Sequence, residues 1–116
     1  MAIPSGSGAE VVKVSTAYVN ATSAEQTIIT GVANHIYTIL SVIICEQGNA
    51  DELIHLYIDD DGSTEIYLLL FQPLKARETF IWNDKFAISG TDCLRIASAS
   101  SASYYYTCTY VDQDWT

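Results

Sequence analysis

Glu52-Leu53-Ile54-His55-Leu56-Tyr57-Ile58-Asp59 and Glu65-Ile66-Tyr67-Leu68-Leu69-Leu70-Phe71-Gln72 flank the acidic turn Asp60-Asp61-Gly62-Ser63. Asp and Gly tolerate the left-handed backbone angles that a tight hairpin needs. In the first arm Leu53, His55, Tyr57 and Asp59 alternate with Ile54, Leu56 and Ile58, which is the period of a strand. The two runs are therefore expected to form an antiparallel hairpin, the clearest in the chain.

The same grammar extends outward in both directions. Upstream, Ile36 to Cys45 is apolar on both alternating sets, as suits a central strand covered on both sides. Glu10 to Asn20 and Gln26 to Thr30 read as earlier strands, separated by the polar turn Ala21-Thr22-Ser23. Downstream, Pro73 is expected to end the hairpin's second strand. Short strands follow over Glu78 to Trp82 and Phe86 to Ser89, then a last hairpin of Asp92 to Ser98 with Ser103 to Asp112. Helical periodicity and capping boxes are missing. The reading is an all-β fold of about eight or nine strands, a two-sheet antiparallel β-sandwich of jelly-roll type.

Residues 1–8, Gly/Ser-rich with one Pro, read as a flexible arm, and residues 9–116 as one sandwich domain, the size expected of 116 residues. No basic start or apolar run resembles a signal peptide, and no stretch approaches the about 20 apolar residues that span a membrane. Folding in the cytoplasm is the expectation.

Charge narrows the partners. The chain has 14 acidic and 5 basic residues, a net charge of −9. Lys13, Lys75, Arg77, Lys85 and Arg95 are scattered, whereas phosphate binding needs clustered cations. Neither nucleic acid nor an anionic membrane is an expected partner. Acidity reads first as solubility, with a basic partner as the alternative. Charged residues are only 16% of the chain, against about 25% in an average domain. Other polar side chains or neighbouring subunits must cover the rest.

No constellation names a reaction. Asp59-Asp60-Asp61-Gly62-Ser63-Thr64-Glu65 offers clustered oxygens of the kind Ca²⁺ takes, but lacks the spacing of an EF-hand loop. His35 and His55 have no cysteine at a zinc-ligand spacing and read as ordinary strand or rim residues. Three cysteines at distant positions are not a disulfide framework. An even-length loop centred on Ser100-Ser101 would set Cys93 opposite Cys108, and a one-residue shift would separate them; two reduced thiols are expected in the cytoplasm. Serines lack the strand-turn-helix elbow of a nucleophile, and no glycine-rich phosphate loop opens a helix. No catalytic residue, cofactor or metal is assigned, and the chain is expected not to be an enzyme.

Aromatic residues are the remaining resource. Tyr104-Tyr105-Tyr106 puts rings on both faces of a strand, and Trp115 stands in the tail Asp112-Gln113-Asp114-Trp115-Thr116. Exposed aromatics are favoured interface anchors. Tyr104, Tyr106, Trp115 and the arm residues Ile3 and Pro4 are the interface candidates.

Several segments resemble small structural proteins of tailed bacteriophages. They are Ile3-Pro4-Ser5-Gly6-Ser7-Gly8 with Glu10-Val11-Val12-Lys13, the run Ile29 to Thr38, Phe80-Ile81-Trp82-Asn83-Asp84-Lys85-Phe86, and Tyr110-Val111-Asp112-Gln113-Asp114-Trp115. The resemblance implies a virion component, foremost a capsid decoration (cement) protein on the outer surface of the head, assembled in the host cytoplasm. It implies a homotrimer that contacts the major capsid protein. A tail, baseplate or fibre-associated sandwich is the second reading, and a carbohydrate-binding module the alternative from another class. Deleting Ala2 to Gly8 is expected to leave the melting temperature unchanged while weakening assembly; global unfolding of the deletion variant would place the arm in the core.

Overall fold

A computed structural model describes residues 9–61 and 64–115. Nine strands follow one another: β1 (Ala9–Thr22), β2 (Gln26–Ile29), β3 (His35–Glu46), β4 (Glu52–Asp60), β5 (Thr64–Leu74), β6 (Thr79–Trp82), β7 (Phe86–Ser89), β8 (Cys93–Ser98) and β9 (Ala102–Asp114). No helix is present among the described residues.

Pairing is nested about the β4–β5 hairpin. β4 pairs with β5, β3 with β6 and β7, β2 with β8, and β1 with β9, all antiparallel. The long folded ribbon is then rolled so that β9 lies against β3 and β8 against β4. Sheet A runs β1-β9-β3-β6, with β7 beside β6 on β3, and sheet B runs β2-β8-β4-β5. This is the jelly-roll wiring expected from the strand pattern.

The core lies between the sheets. Ile39, Val42, Ile44, Tyr104 and Cys108 from sheet A meet Ile54, Leu56, Leu94 and Ile96 from sheet B. Ile39 and Val42 are an odd number of residues apart and would face opposite ways in a straight strand. A bulge between Ile39 and Ser41 turns both inward.

Three expectations change. Cys93 and Cys108 do not sit in one hairpin, because β8 and β9 belong to different sheets. β8 has 6 residues and β9 has 13, so pairing them would strand half of β9's backbone; β1, with 14, and β3, with 12, match its length. The chain turns over the end of the sandwich there, with Ser98 Oγ donating to the carbonyl of Thr22 at 3.2 Å. Pro73 does not stop β5: it sits inside the strand, opposite Leu53. β5 is an edge, where a missing N–H costs nothing to the ladder. β3 is central as expected, but the described residues cover only one of its faces, and Ile43 is exposed on the other.

Ile96 is fully buried and Leu70 is 54% exposed. Ile96→Ala is expected to cost about 2–5 kcal/mol in urea unfolding, and Leu70→Ala less than about 0.5 kcal/mol. Equal effects would contradict this placement of the core.

Candidate assembly surface

The strand register sorts the side chains of sheet A. Val19, Tyr104 and Glu46 share one row and point inward, as do Ala17, Tyr106 and Ile44 in the next. The residues between them must point outward. Val12, Val14, Thr16 and Tyr18 of β1 thus stand beside Val111, Thr109, Thr107 and Tyr105 of β9. The rows continue through Thr38, Ser41, Ile43 and Cys45 of β3 to Ala87, Ile81 and Thr79.

Over these four rows the outer face carries no charged side chain. Val12 is 65% exposed, Ile81 57%, and the tilted ring pair Tyr18–Tyr105 is about half exposed with centroids 4.9 Å apart. β-branched and hydroxyl side chains make this an uncharged surface in which exposed apolar groups stand side by side, a feature of contact surfaces.

The acidic residues lie elsewhere. Glu25, Asp59 and Glu65 occupy the outer face of sheet B, where Arg95 pairs with Glu25 at 2.6 Å and with Asp59 at 3.3 Å. Tyr57 donates its hydroxyl to Glu25 and is nearly fully buried beneath these groups. Burial, reinforced by Glu25, pushes its phenol well above the ordinary value. On the same face His55 Nδ1 accepts the N–H of Phe71 at 3.0 Å, and Phe71 adopts φ 54 at a bulge. A phenylalanine in the left-handed region is an outlier.

At one end of the sandwich, Asp112 accepts from Lys13 Nζ at 2.7 Å and lies 2.6 Å from His35 Nδ1. Burial would raise its carboxyl, but the bonds from Lys13 and His35 outweigh that and hold it below the carboxylate range. At the other end Glu46 is almost wholly buried, and its Oε1 accepts the N–H groups of Arg77 at 2.9 Å and Ala50 at 3.3 Å. Burial opposes ionisation, yet backbone N–H groups from two loops win, so its carboxyl titrates low. Glu52 nearby goes the other way: burial, then the charge of Glu46, push it up.

The interface candidates are dispersed. Tyr104 and Tyr106 are buried within their own sandwich, because the row they share with Glu46 and Ile44 faces inward. Tyr105 is the exposed ring of the run, a choice that depended on register. Trp115 is half-buried; its backbone N–H donates to the Asn34 carbonyl at 3.2 Å, and the residue borders a hollow of about 310 Å³ with His35 and Gly90. A Cβ on Gly31, in the adjacent loop, would collide with the carbonyls of Asp92 and Gly90. Ile3 and Pro4 lie outside the described residues. Outward-facing β1 residues were missed, although alternation along Glu10 to Asn20 carried the signal.

The remaining reactive groups are committed to structure. Cys45, Cys93 and Cys108 are free thiols, and burial pushes Cys108 up to about 12, so it is no nucleophile. Asp61 accepts from Thr91 at 2.8 Å. No group of three or more metal-ligating side chains converges among the described residues. His35 stands at the start of β3 and His55 inside β4, and each has a hydrogen-bond partner, Asp112 and the Phe71 N–H.

The two buried carboxylates respond to pH with opposite signs. Glu46 titrates low, so its contribution is present above about pH 4.5 and is lost as pH falls through its folded value. Glu52 titrates high, so its charge costs stability at neutral pH and that cost vanishes on acidification. Glu52→Gln is expected to raise the melting temperature at pH 7 and to leave it unchanged near pH 4. Glu46→Gln is expected to lower it at pH 7, by about 1–3 kcal/mol of unfolding free energy, with the deficit shrinking in acid. Thermal unfolding of both variants across pH 3.5–7 checks the two signs.

No protein-family model and no curated protein matches the sequence. Solved structures share the fold. A chain from the acid-stable capsid of Helicobacter pylori bacteriophage KHP30 superposes with TM-score 0.56 at 8% identity, covering 94% of each chain. A chain of the Bacillus endospore appendages, a family of disulfide-linked pili, gives 0.53 at 15% identity, covering 100% of this chain and 97% of that one. A chain of infectious bursal disease virus, Gx strain, gives 0.58 at 7% identity, covering 92% of this chain and 33% of that one. At these identities the likeness is one of fold: this chain has the jelly-roll sandwich that is also found in viral capsids and in a bacterial pilus.

Proposed function

We propose that the protein is a non-enzymatic structural subunit of a virion, docking through the outer face of sheet A. One observation carries the reading: a chain of net charge −9 keeps four rows of an exposed sheet free of charge. Charged residues are depleted in the cores of protein interfaces. Capsid chains of the same fold and the bacteriophage resemblance of the sequence support this reading.

Within the virion, the specific role is a capsid decoration (cement) protein on the outside of the head, with the major capsid protein as its partner. The sandwich would lay its uncharged face on the shell and turn the acidic face of sheet B to solvent. Self-association belongs to the reading; the trimer implied by the bacteriophage resemblance is one stoichiometry that a mass measurement separates from others. A tail or baseplate position is distinguished by labelling the protein and locating it on particles.

A glycan-binding reading draws on Tyr67 and Phe71, exposed beside His55 on the outer face of sheet B. Binding on a glycan array that is lost with Phe71→Ala would favour it.

The purified protein is expected to add to undecorated capsids in stoichiometric number and to raise their unfolding temperature. Ile81→Asp, at an exposed site, is expected to abolish that addition while changing the chain's own stability by less than about 0.5 kcal/mol. Absence of the protein from purified virions, or full binding by the variant, would overturn the proposal.

A further inference from the structure

A sandwich has four sheet edges, and each open edge is a row of unpaired N–H and C=O groups that proteins ordinarily blunt. Three edges of this one are blunted. β2 is 4 residues long with a register break between Thr27 and Ile29. The β6/β7 edge is two 4-residue strands interrupted by residues 83–85. β5 is longer, but carries Pro73, the left-handed Phe71 and two register breaks.

β1 has none of these devices. It pairs with β9 in unbroken register from Ala9↔Asp114 to Val19↔Tyr104, and no strand lies on its other side among the described residues. The unbroken run is about 36 Å long at the usual rise. It contains no proline, and its first irregularity falls between Val19 and Thr22. Lysine is a common edge guard, but the Lys13 ammonium is drawn back to Asp112 on β9 at 2.7 Å.

We propose that two copies of this chain pair edge to edge through β1, antiparallel about a two-fold axis, so that sheet A continues from one copy into the other. The occupant follows from two observations. Glu10 and Lys13 are the only charged residues of β1 and are opposite in sign, so the strand is neutral in a chain of −9. Two copies can meet along it without the repulsion that other approaches bring. Because the other edges are blunted, β1 of one copy finds no second kind of edge on the next, and the pairing is isologous. It also joins the two uncharged outer faces into one. The pairing does not depend on the virion reading, which capsid addition tests separately.

Two measurements on the full chain test it. Sedimentation equilibrium up to ~100 µM, a range that captures the micromolar affinity of a modest interface, is expected to give twice the 12.7 kDa of one chain. Hydrogen exchange resolved by residue is the edge-specific reading. In a monomer every second β1 amide points away from β9 and exchanges freely; in the dimer protection runs continuously along the strand. Val12→Lys with Val14→Lys is expected to weaken dimerisation at least about tenfold while leaving a folded monomer. A single-chain mass throughout the range, any other stoichiometry, or a dimer whose alternate β1 amides still exchange would overturn the proposal. The wild-type exchange pattern decides the matter even if the double variant does not fold.

Discussion

β9 has to satisfy its backbone on both edges, and the rest of the fold is arranged around that need. It is 13 residues long and runs between β1 and β3, paired with both over nearly its whole length. Unpaired buried N–H and C=O groups are too costly to leave along so long a strand. The final strand therefore leaves its neighbour in sequence, β8, and crosses to the other sheet. That crossing closes the roll and brings the inward rows of both sheets together.

Sheet A is consequently asymmetric. Its inner face is sealed by sheet B, while four rows of its outer face display valine, threonine, isoleucine and tyrosine without charge, and the flanking row carries Glu10 beside Gln113. A monomer with 14 acidic residues could have scattered them there. Instead they gather on the outer face of sheet B, in the turns and at the two ends of the sandwich. Several are structural: Glu46 pins two loops through their backbone N–H groups, and Asp112 ties β1 to His35 at the start of β3. The outer face of sheet B mixes its carboxylates with the exposed rings of Tyr67 and Phe71, whereas the four rows of sheet A carry no charge.

Alternation along Glu52 to Asp59 and the Asp-Gly turn were enough to read the hairpin, because strand period and turn angles are local properties. The same local rules placed all nine strands to within a few residues, excluded helices, and identified Ile36 to Cys45 as a central strand. The bulge after Ile39 and the break at Phe71 were not legible, since an extra residue in one strand is defined only by its partner. The pairing of consecutive strands was legible for β4 and β5 but misleading for β8 and β9, where lengths elsewhere in the chain decide.

The amino-acid sequence by itself determined the all-β class, the turn positions and a composition low in charge. Which tyrosine of Tyr104-Tyr105-Tyr106 reaches solvent was a tertiary decision, because a one-residue change of register exchanges the two faces. So was the gathering of β1, β9, β3 and β6 into one uncharged surface. That surface comes from strands far apart in the chain and exists only once the ribbon has rolled.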